Sequence, residues 1–169
     1  LNDIILPISF DETKEASKMN IATRLSALNF LDNGGAIGVF PGGTVSTAQS
    51  PFGVPMDPGW RSFTAKMITR SDAQVVPIFF EGHNSRLFQV ASHIHYNLRM
   101  GLLIKEFKSK VGNPVKIAIG NPLSDTAIKS RSGNPRILMD FLREETYKLS
   151  RTPLDNFNYG YEFESRYKI

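Results

Sequence analysis

The order of apolar and polar positions along the chain predicts four helical segments. Apolar side chains recur every three or four positions in the two clearest ones, as they do on one face of a helix. In the first, Ile21, Leu25 and Leu28 share a face that is expected to turn inward. The predicted helical segments are residues 13–31, residues 58–69 with Asp57 as their cap, residues 85–110 with a break near Gly101, and residues 135–149.

Short apolar runs between these segments predict strands. The runs are residues 4–10, 36–40, 74–80 and 115–119, and Pro7 interrupts the first of them. Strands that alternate with helices are typical of an α/β layer fold. The sequence therefore predicts an α/β domain with a mostly parallel central sheet flanked by helices, and ligands at the carboxyl ends of its strands.

Length and composition indicate one globular domain. The chain has 169 residues, of which 41% are hydrophobic and 21% charged, enough to form a hydrophobic core. It has no cysteine, which excludes disulfides and a thiol nucleophile. We assign residues 1–151 to the α/β domain and residues 152–169 to an aromatic-rich C-terminal tail, which we expect to pack on the body.

Positive charge is concentrated in residues 83–116, which hold six Lys and Arg against a single acid, Glu106. A basic segment with apolar residues can meet anionic lipid, nucleic acid or an acidic carrier protein. An ordinary solvated helix face explains the charge equally well. Residues 87–107 are likewise open to two interpretations, either core helices or a border to an acyl pocket or membrane surface.

The stretch AIGVFPGGTVST, residues 36–47, runs from an apolar segment into a glycine corner. Gly42 and Gly43 allow backbone angles and close approaches that other residues exclude, and successive N–H groups there could hold an anion. Thr44, Ser46 and Thr47 add hydroxyl groups. The stretch does not match a P-loop, a dinucleotide-binding fingerprint or a nucleophile elbow, so spacing alone leaves a plain turn as an alternative.

Two motifs in order carry a resemblance to a known family. FPGGTVS, residues 40–46, resembles the F-P-E-G-T-R-S block of the glycerolipid acyltransferases, which include the 1-acylglycerol-3-phosphate and lyso-ornithine lipid acyltransferases. About thirty residues later, Val75-Val76-Pro77-Ile78 resembles the V-P-[IV] strand of that family. FFEGHNSRLFQVAS, residues 79–92, is similar to the hemolysin-like and lyso-ornithine branch.

The resemblance implies a bacterial enzyme that transfers a fatty acyl group from acyl carrier protein or coenzyme A to the hydroxyl of a lysolipid. It implies no bound cofactor, no metal, no nucleic-acid partner, and a cytoplasmic location in peripheral contact with the inner face of the membrane. The residues that would line the acceptor site are Phe40, Pro41, Gly42, Gly43, Thr44, Val45, Ser46 and Pro77.

The chain departs from the family pattern in two ways. The H-x-x-x-x-D pair, which supplies the general base, is absent after His83, His93 and His95. In the family it lies upstream of the part that matches Leu1, so we expect this chain to be the C-terminal part of a domain, with no catalytic residue of its own. The alternative is a non-catalytic module that binds anions, lipid or nucleic acid.

The second departure lies in the glycine corner. Gly42 replaces the Glu and Val45 the Arg of the family block. An Arg binds phosphate oxygens in a fork, which Val45 cannot do. A lyso-aminolipid acceptor is therefore favoured over a phosphate-bearing one, unless Arg61 or Lys66 takes over the phosphate contact.

Overall fold

The computed structural model describes residues 5–9, 11 and 13–162, which form a small mixed α/β domain. The predicted helices are confirmed in place with shifted bounds, although residues 85–110 break at His95 and not near Gly101. The described residues form six helices and two strands: α1 Lys14–Asp32, α2 Ser62–Ile68, β1 Ile78–Phe80, α3 Arg86–Ile94, α4 Tyr96–Lys110, β2 Ile117–Ile119, α5 Asp125–Lys129 and α6 Pro135–Tyr147.

The strands of the described part pair antiparallel, so the mostly parallel central sheet that we predicted is not found there. Phe79 of β1 lies opposite Ala118 of β2. The reason is the connection between the strands, which contains two helices and not one. The end of α4 lies against the start of α3, where Lys110 Nζ donates to Asn84 Oδ1 at 2.8 Å. The helix pair thus returns the chain to the end of β1 that it left, and β2 must run backwards.

Two predicted strands do not form a ladder. Residues 5–9 are held by α1 side chains and not by a strand, since Asn20 both accepts from Ser9 N at 2.9 Å and donates to Ser9 O at 2.8 Å. Ile4 and Phe10, the ends of that prediction, lie outside the described residues. Residues 36–40 run between α1 and the glycine corner without pairing to a strand.

The prediction that the apolar face of α1 turns inward is wrong for two of its three residues. Ile21 is 47% exposed and Leu25 is 60% exposed. The side of α1 that the body covers is lined by smaller residues, Ala16, Thr23 and Ala27. A helix carrying small side chains can approach its neighbours closely, and Thr23 Oγ1 also donates to Pro7 O at 2.7 Å.

The hydrophobic core lies between α2, α5 and α6. Its buried members are Ala65, Ile128, Leu138, Met139 and Leu142. The sheet joins this core through Phe79, whose ring lies 5.5 Å from that of Tyr147 at the end of α6. Tyr147 also contacts the loop before α2, so the core helix α6 supports the loop that follows the glycine corner.

None of the helices in the described part of the chain is both long and apolar enough to cross a bilayer.

Candidate functional site

The glycine corner, residues 40–46, is a tight turn beside the carboxyl end of β1. Gly43 has a φ of +67°, which favours glycine, and its N–H donates to Phe40 O at 3.4 Å. The Phe40 ring is 77% exposed and lies 5.7 Å from that of Phe80, the last residue of β1. The glycine corner was expected at the carboxyl end of a strand, and it does lie near the carboxyl end of β1. The contact is between the rings of Phe40 and Phe80, and residues 36–40 do not pair with β1.

A carboxylate from the following loop supports the corner from behind. Ser46 Oγ donates to Asp57 Oδ1, and the Trp60 indole N–H donates to Asp57 Oδ2 at 3.0 Å. A Cβ at Gly42 would lie 3.4 Å from the Asp57 carboxyl carbon. Asp57 therefore fills the space beside residue 42, and the prediction that it caps a helix is wrong, because α2 begins only after Arg61.

Two of the three hydroxyl groups hold the loop in place. Ser46 is bound to Asp57, and Thr47 Oγ1 donates to Val45 O at 2.9 Å while it accepts from Arg99. Thr44 is half-buried and makes no hydrogen bond within the described part of the chain. Thr44 is thus the hydroxyl that remains able to contact a ligand.

A buried arginine from α4 fixes the far side of the same loop. Arg99 is 4% exposed, and its Nη1 donates to Thr47 Oγ1 at 2.9 Å and to Ser92 Oγ at 2.8 Å. Gln89 of α3 adds a contact by accepting from Ala48 N at 3.0 Å. The α3 and α4 helices thus anchor the chain directly after the glycine corner.

A second buried arginine joins α6, the loop and the tail. Arg143 is 2% exposed and donates to Asp57 O, Phe157 O and Asn158 O at 2.7–2.9 Å. Its guanidinium also lies about 5 Å from the ring centre of Tyr147. Arg143 thus gives the three carbonyl groups one shared donor from α6.

Tyr147 provides a neutral hydroxyl behind Asp57. Its Oη accepts from Asp57 N at 2.8 Å. Burial, followed by the nearby Asp57 carboxylate, raises the pKa of Tyr147 to about 12. The phenol therefore keeps its proton throughout the physiological pH range.

The C-terminal tail packs on the body through residues 157–162, as expected, and residues 163–169 lie outside the described part. Gly160 N donates to Asp57 O at 2.8 Å, and Tyr161 N donates to Thr47 O at 2.9 Å. A Cβ at Gly160 would overlap Met56 O, so the close approach of the two backbones requires glycine. The tail thus runs along the loop between the glycine corner and α2.

The three histidines bind backbone groups and not carboxylates. His83 Nδ1 lies 2.9 Å from Asn84 O, and His93 Nε2 lies 2.9 Å from Ala48 O. His95 Nδ1 accepts from Asn97 N at 3.1 Å. Within the described residues no histidine is paired with an aspartate, and no group of three acidic or histidine side chains could hold a metal ion.

The other residues singled out by sequence lie at different distances from the corner. Arg61 N donates to Pro41 O at 3.0 Å, while its Nη2 forms an ion pair of 2.7 Å with Glu162. Lys66 is exposed on α2. Pro77 precedes β1, so it lies at the end of that strand opposite to the Phe40 contact, where it packs on Gly120. The acceptor-site role of these residues stays a prediction.

Sequence reasoning missed Arg99, Arg143 and Tyr147 as supports of the corner. A signal for Arg143 was present, because Met139, Arg143 and Tyr147 are spaced by four on the inward face of α6. A charged residue on an apolar stripe indicates a buried polar contact. No comparable signal marks Asp57, whose role depends on the path of the loop.

A comparison with known families gives one result. A family model described as acyltransferase matches residues 4–156, which is most of the chain. No curated protein and no solved structure matches the chain significantly.

Proposed function

The chain belongs to the acyltransferase family, and from this premise we propose that it serves the transfer of a fatty acyl group from a thioester to the hydroxyl of a lysolipid. Acyl carrier protein or coenzyme A would carry the donor. The family match over residues 4–156 is the observation that carries the proposal. The site would act at the cytoplasmic face of a bacterial membrane.

The glycine corner forms one wall of the acceptor site in this proposal. It presents the exposed Phe40 ring, the half-buried Thr44 hydroxyl and the backbone of Gly43. An apolar ring beside polar donors suits a lipid with a short polar headgroup. The Asp57 carboxylate lies beside this wall, 3.4 Å from the position that a Cβ of residue 42 would take.

The charges around the corner favour an acceptor without phosphate. Asp57 places a carboxylate behind residue 42, and Val45 carries no charge. Arg61 could bind phosphate, but its guanidinium is paired with Glu162. A headgroup that carries an amine or amide N–H suits a site with the negative charge of Asp57 better than a negatively charged phosphate monoester does.

The general base would come from sequence outside these 169 residues. Each of the three histidines lacks the carboxylate partner that orients a histidine base, within the described part of the chain. The family motif that supplies such a pair is not among these residues. In this proposal the glycine corner binds and positions the acceptor.

Acceptor binding can be tested without turnover, because Trp60 is the single tryptophan and contacts Asp57. Its fluorescence is titrated with lyso-ornithine lipid and with lysophosphatidate, each below its micelle concentration. We expect lyso-ornithine lipid to bind more tightly, and Val45→Arg to shift the preference towards lysophosphatidate. Trp60→Phe is the control for the origin of the signal. Equal affinities for both lipids in both proteins would contradict the proposed acceptor.

Turnover is followed through the thiol that coenzyme A releases, and the absence of cysteine removes the background from the protein. The 169-residue chain is compared with a version that includes any natural sequence preceding Leu1. We expect thiol release only from a version that contains the H-x-x-x-x-D pair. Equal rates in both proteins would contradict the position of the base.

A further inference from the structure

An ion pair joins the C-terminal tail to the chain beside the glycine corner. Residues 157–162 of the tail lie along the loop between the corner and α2, and we call them the docked tail. Its last residue, Glu162, accepts through Oε1 from Arg61 Nη2 at 2.7 Å, and the two side chains are 33% and 38% exposed. Partial burial reduces the screening of such a pair by salt. Because the partners lie 101 positions apart in the sequence, the pair requires the tail to be docked.

Arg61 lies directly against the glycine corner. Its backbone N–H donates to Pro41 O at 3.0 Å, so residue 61 contacts the second residue of the corner. The corner itself presents the half-buried Thr44 hydroxyl, which makes no hydrogen bond within the described part of the chain. A guanidinium and a hydroxyl are donors that suit phosphate oxygens. Arg61 thus brings a phosphate-binding group to the acceptor wall, and Glu162 occupies its Nη2.

The docked tail is held by backbone hydrogen bonds that do not involve Glu162. Gly160 N donates to Asp57 O at 2.8 Å, and Tyr161 N donates to Thr47 O at 2.9 Å. These bonds lie one and two residues before Glu162 and place it at the ion pair. The Glu162 carboxylate can therefore be removed while the tail stays docked. Its charge and the docking of the tail can be tested separately.

The charge at the acceptor wall depends on Glu162. With the tail docked, the groups around the corner are one guanidinium and two carboxylates, those of Glu162 and Asp57, which gives a net charge of −1. Without Glu162 the net charge is zero, and Arg61 Nη2 can donate to a ligand instead. Like charges close to one another suppress the binding of a wrong partner. The docked tail therefore disfavours a phosphate headgroup, which is an anion, and tolerates a headgroup with an amine.

We propose that Glu162 is a positioning residue that sets the headgroup selectivity of the acceptor site. While the tail is docked, Glu162 holds the Arg61 guanidinium, and phosphate-bearing acceptors are disfavoured. When the tail moves away or loses this carboxylate, Arg61 and the Thr44 hydroxyl bind the phosphate. The inference rests on the proposed function, because it concerns the same acceptor site. It adds that the docked tail, and not the corner alone, determines which lysolipid can bind.

Calorimetric titration with glycerol 3-phosphate tests the proposal, because this ester is soluble and carries the phosphate without an acyl chain. At low salt, Glu162→Gln should bind it about tenfold more tightly than the unchanged protein does, since the substitution removes a repulsion and leaves Arg61 Nη2 to the phosphate. Adding Arg61→Gln to Glu162→Gln should remove this gain. Gly160→Ala should produce a similar gain, because its Cβ meets Met56 O and displaces the tail that carries Glu162.

The matched control removes a carboxylate from another ion pair. Glu145 accepts from Lys148 at 2.8 Å and lies with Pro77 at the end of β1 that is remote from the corner. Glu145→Gln should bind glycerol 3-phosphate as the unchanged protein does, within about twofold. Circular dichroism checks that each variant is folded, and resistance to chymotrypsin at Tyr159 checks that the tail stays docked in Glu162→Gln. A carboxylate with only a structural role would not raise the affinity for phosphate when it is removed.

Two results would overturn the proposal. One is an unchanged affinity for glycerol 3-phosphate in Glu162→Gln. The other is a gain that persists when Arg61 is also replaced, since general charge and not this guanidinium would then be the cause. The proposed acceptor fails separately, because a gain in Glu162→Gln without any binding of lyso-ornithine lipid would contradict that acceptor and support the role of Glu162. Binding of lyso-ornithine lipid without the gain would do the reverse.

Discussion

Arg143→Leu removes the side chain that joins α6, the loop before α2 and the C-terminal tail. Three backbone carbonyls, those of Asp57, Phe157 and Asn158, then lose the charged donor, although Asp57 O keeps the hydrogen bond from Gly160 N. A hydrogen bond from a charged donor contributes about 1.5–3 kcal/mol, but water can reach the two tail carbonyls once the tail moves away. We therefore expect a loss of about 3 kcal/mol in the free energy of unfolding.

Urea denaturation measures this loss. With a slope of about 2 kcal/mol per molar, the midpoint should fall by about 1.5 M. Chymotrypsin should also cleave the tail at Phe157 and Tyr159 before it cleaves the body, because the tail is released first. Arg70→Leu is the matched control, since Arg70 is exposed in the turn after α2 and its replacement should change the free energy of unfolding by no more than about 0.5 kcal/mol.

A third variant keeps the test decisive if Arg143→Leu does not fold. Arg143→Lys retains the charge but cannot donate to all three carbonyls from one planar fork, so we expect an intermediate midpoint. An unchanged midpoint in Arg143→Leu, with a tail as resistant to protease as in the unchanged protein, would refute the argument. The three hydrogen bonds would then contribute no net stability.

Three further changes test other contacts of the site. The fold disfavours the ionised Tyr147 phenol, so stability should fall by about 2–3 kcal/mol between pH 10 and 12, and urea titrations of Tyr147→Phe should lack this loss. Gly160→Ala should open the tail in hydrogen exchange because its Cβ meets Met56 O, whereas Gly133→Ala, with open space around it, should not. Burial raises the pKa of Glu106, but hydrogen bonds from Ser85, the N-cap of α3, and nearby lysines outweigh it, so the pKa is lowered overall. Its stabilisation is present above the ordinary value of 4.5 and lost as pH falls through the folded pKa, and the thermal midpoint of Glu106→Gln should lack this acid limb.

The helices other than α5, which the sequence did not indicate, were predictable because each shows a local apolar repeat or cap in the sequence. Residues 135–149 show the apolar repeat of α6, and Asn134 provides the cap that begins it. The glycine corner was predictable for the same reason, since Gly42 and Gly43 allow a conformation that depends only on neighbouring residues. The acyltransferase family was also visible in the sequence, through two short motifs in order, and the match over residues 4–156 confirms it.

The strand direction was not predictable, because it depends on how many helices lie between two strands and on how they pack. The pattern of residues 85–110 indicated helix. The break at His95 divides this segment into two helices, which return the chain to the end of β1 that it left, so that β2 pairs antiparallel with β1. Asp57 gave no signal either, since its carboxylate reaches the corner only through the folded path of the loop.

The sequence by itself determined where the described helices other than α5 lie, where the chain turns on glycine and to which family the chain belongs. The tertiary structure decided which face of each helix is buried. On α1 it turned Ile21 and Leu25 outward, and on α4 it buried Arg99 and Glu106 while it left Phe107 exposed. The physical reason is that a periodic pattern defines a face of a helix, whereas burial depends on what the rest of the fold offers to pack against that face.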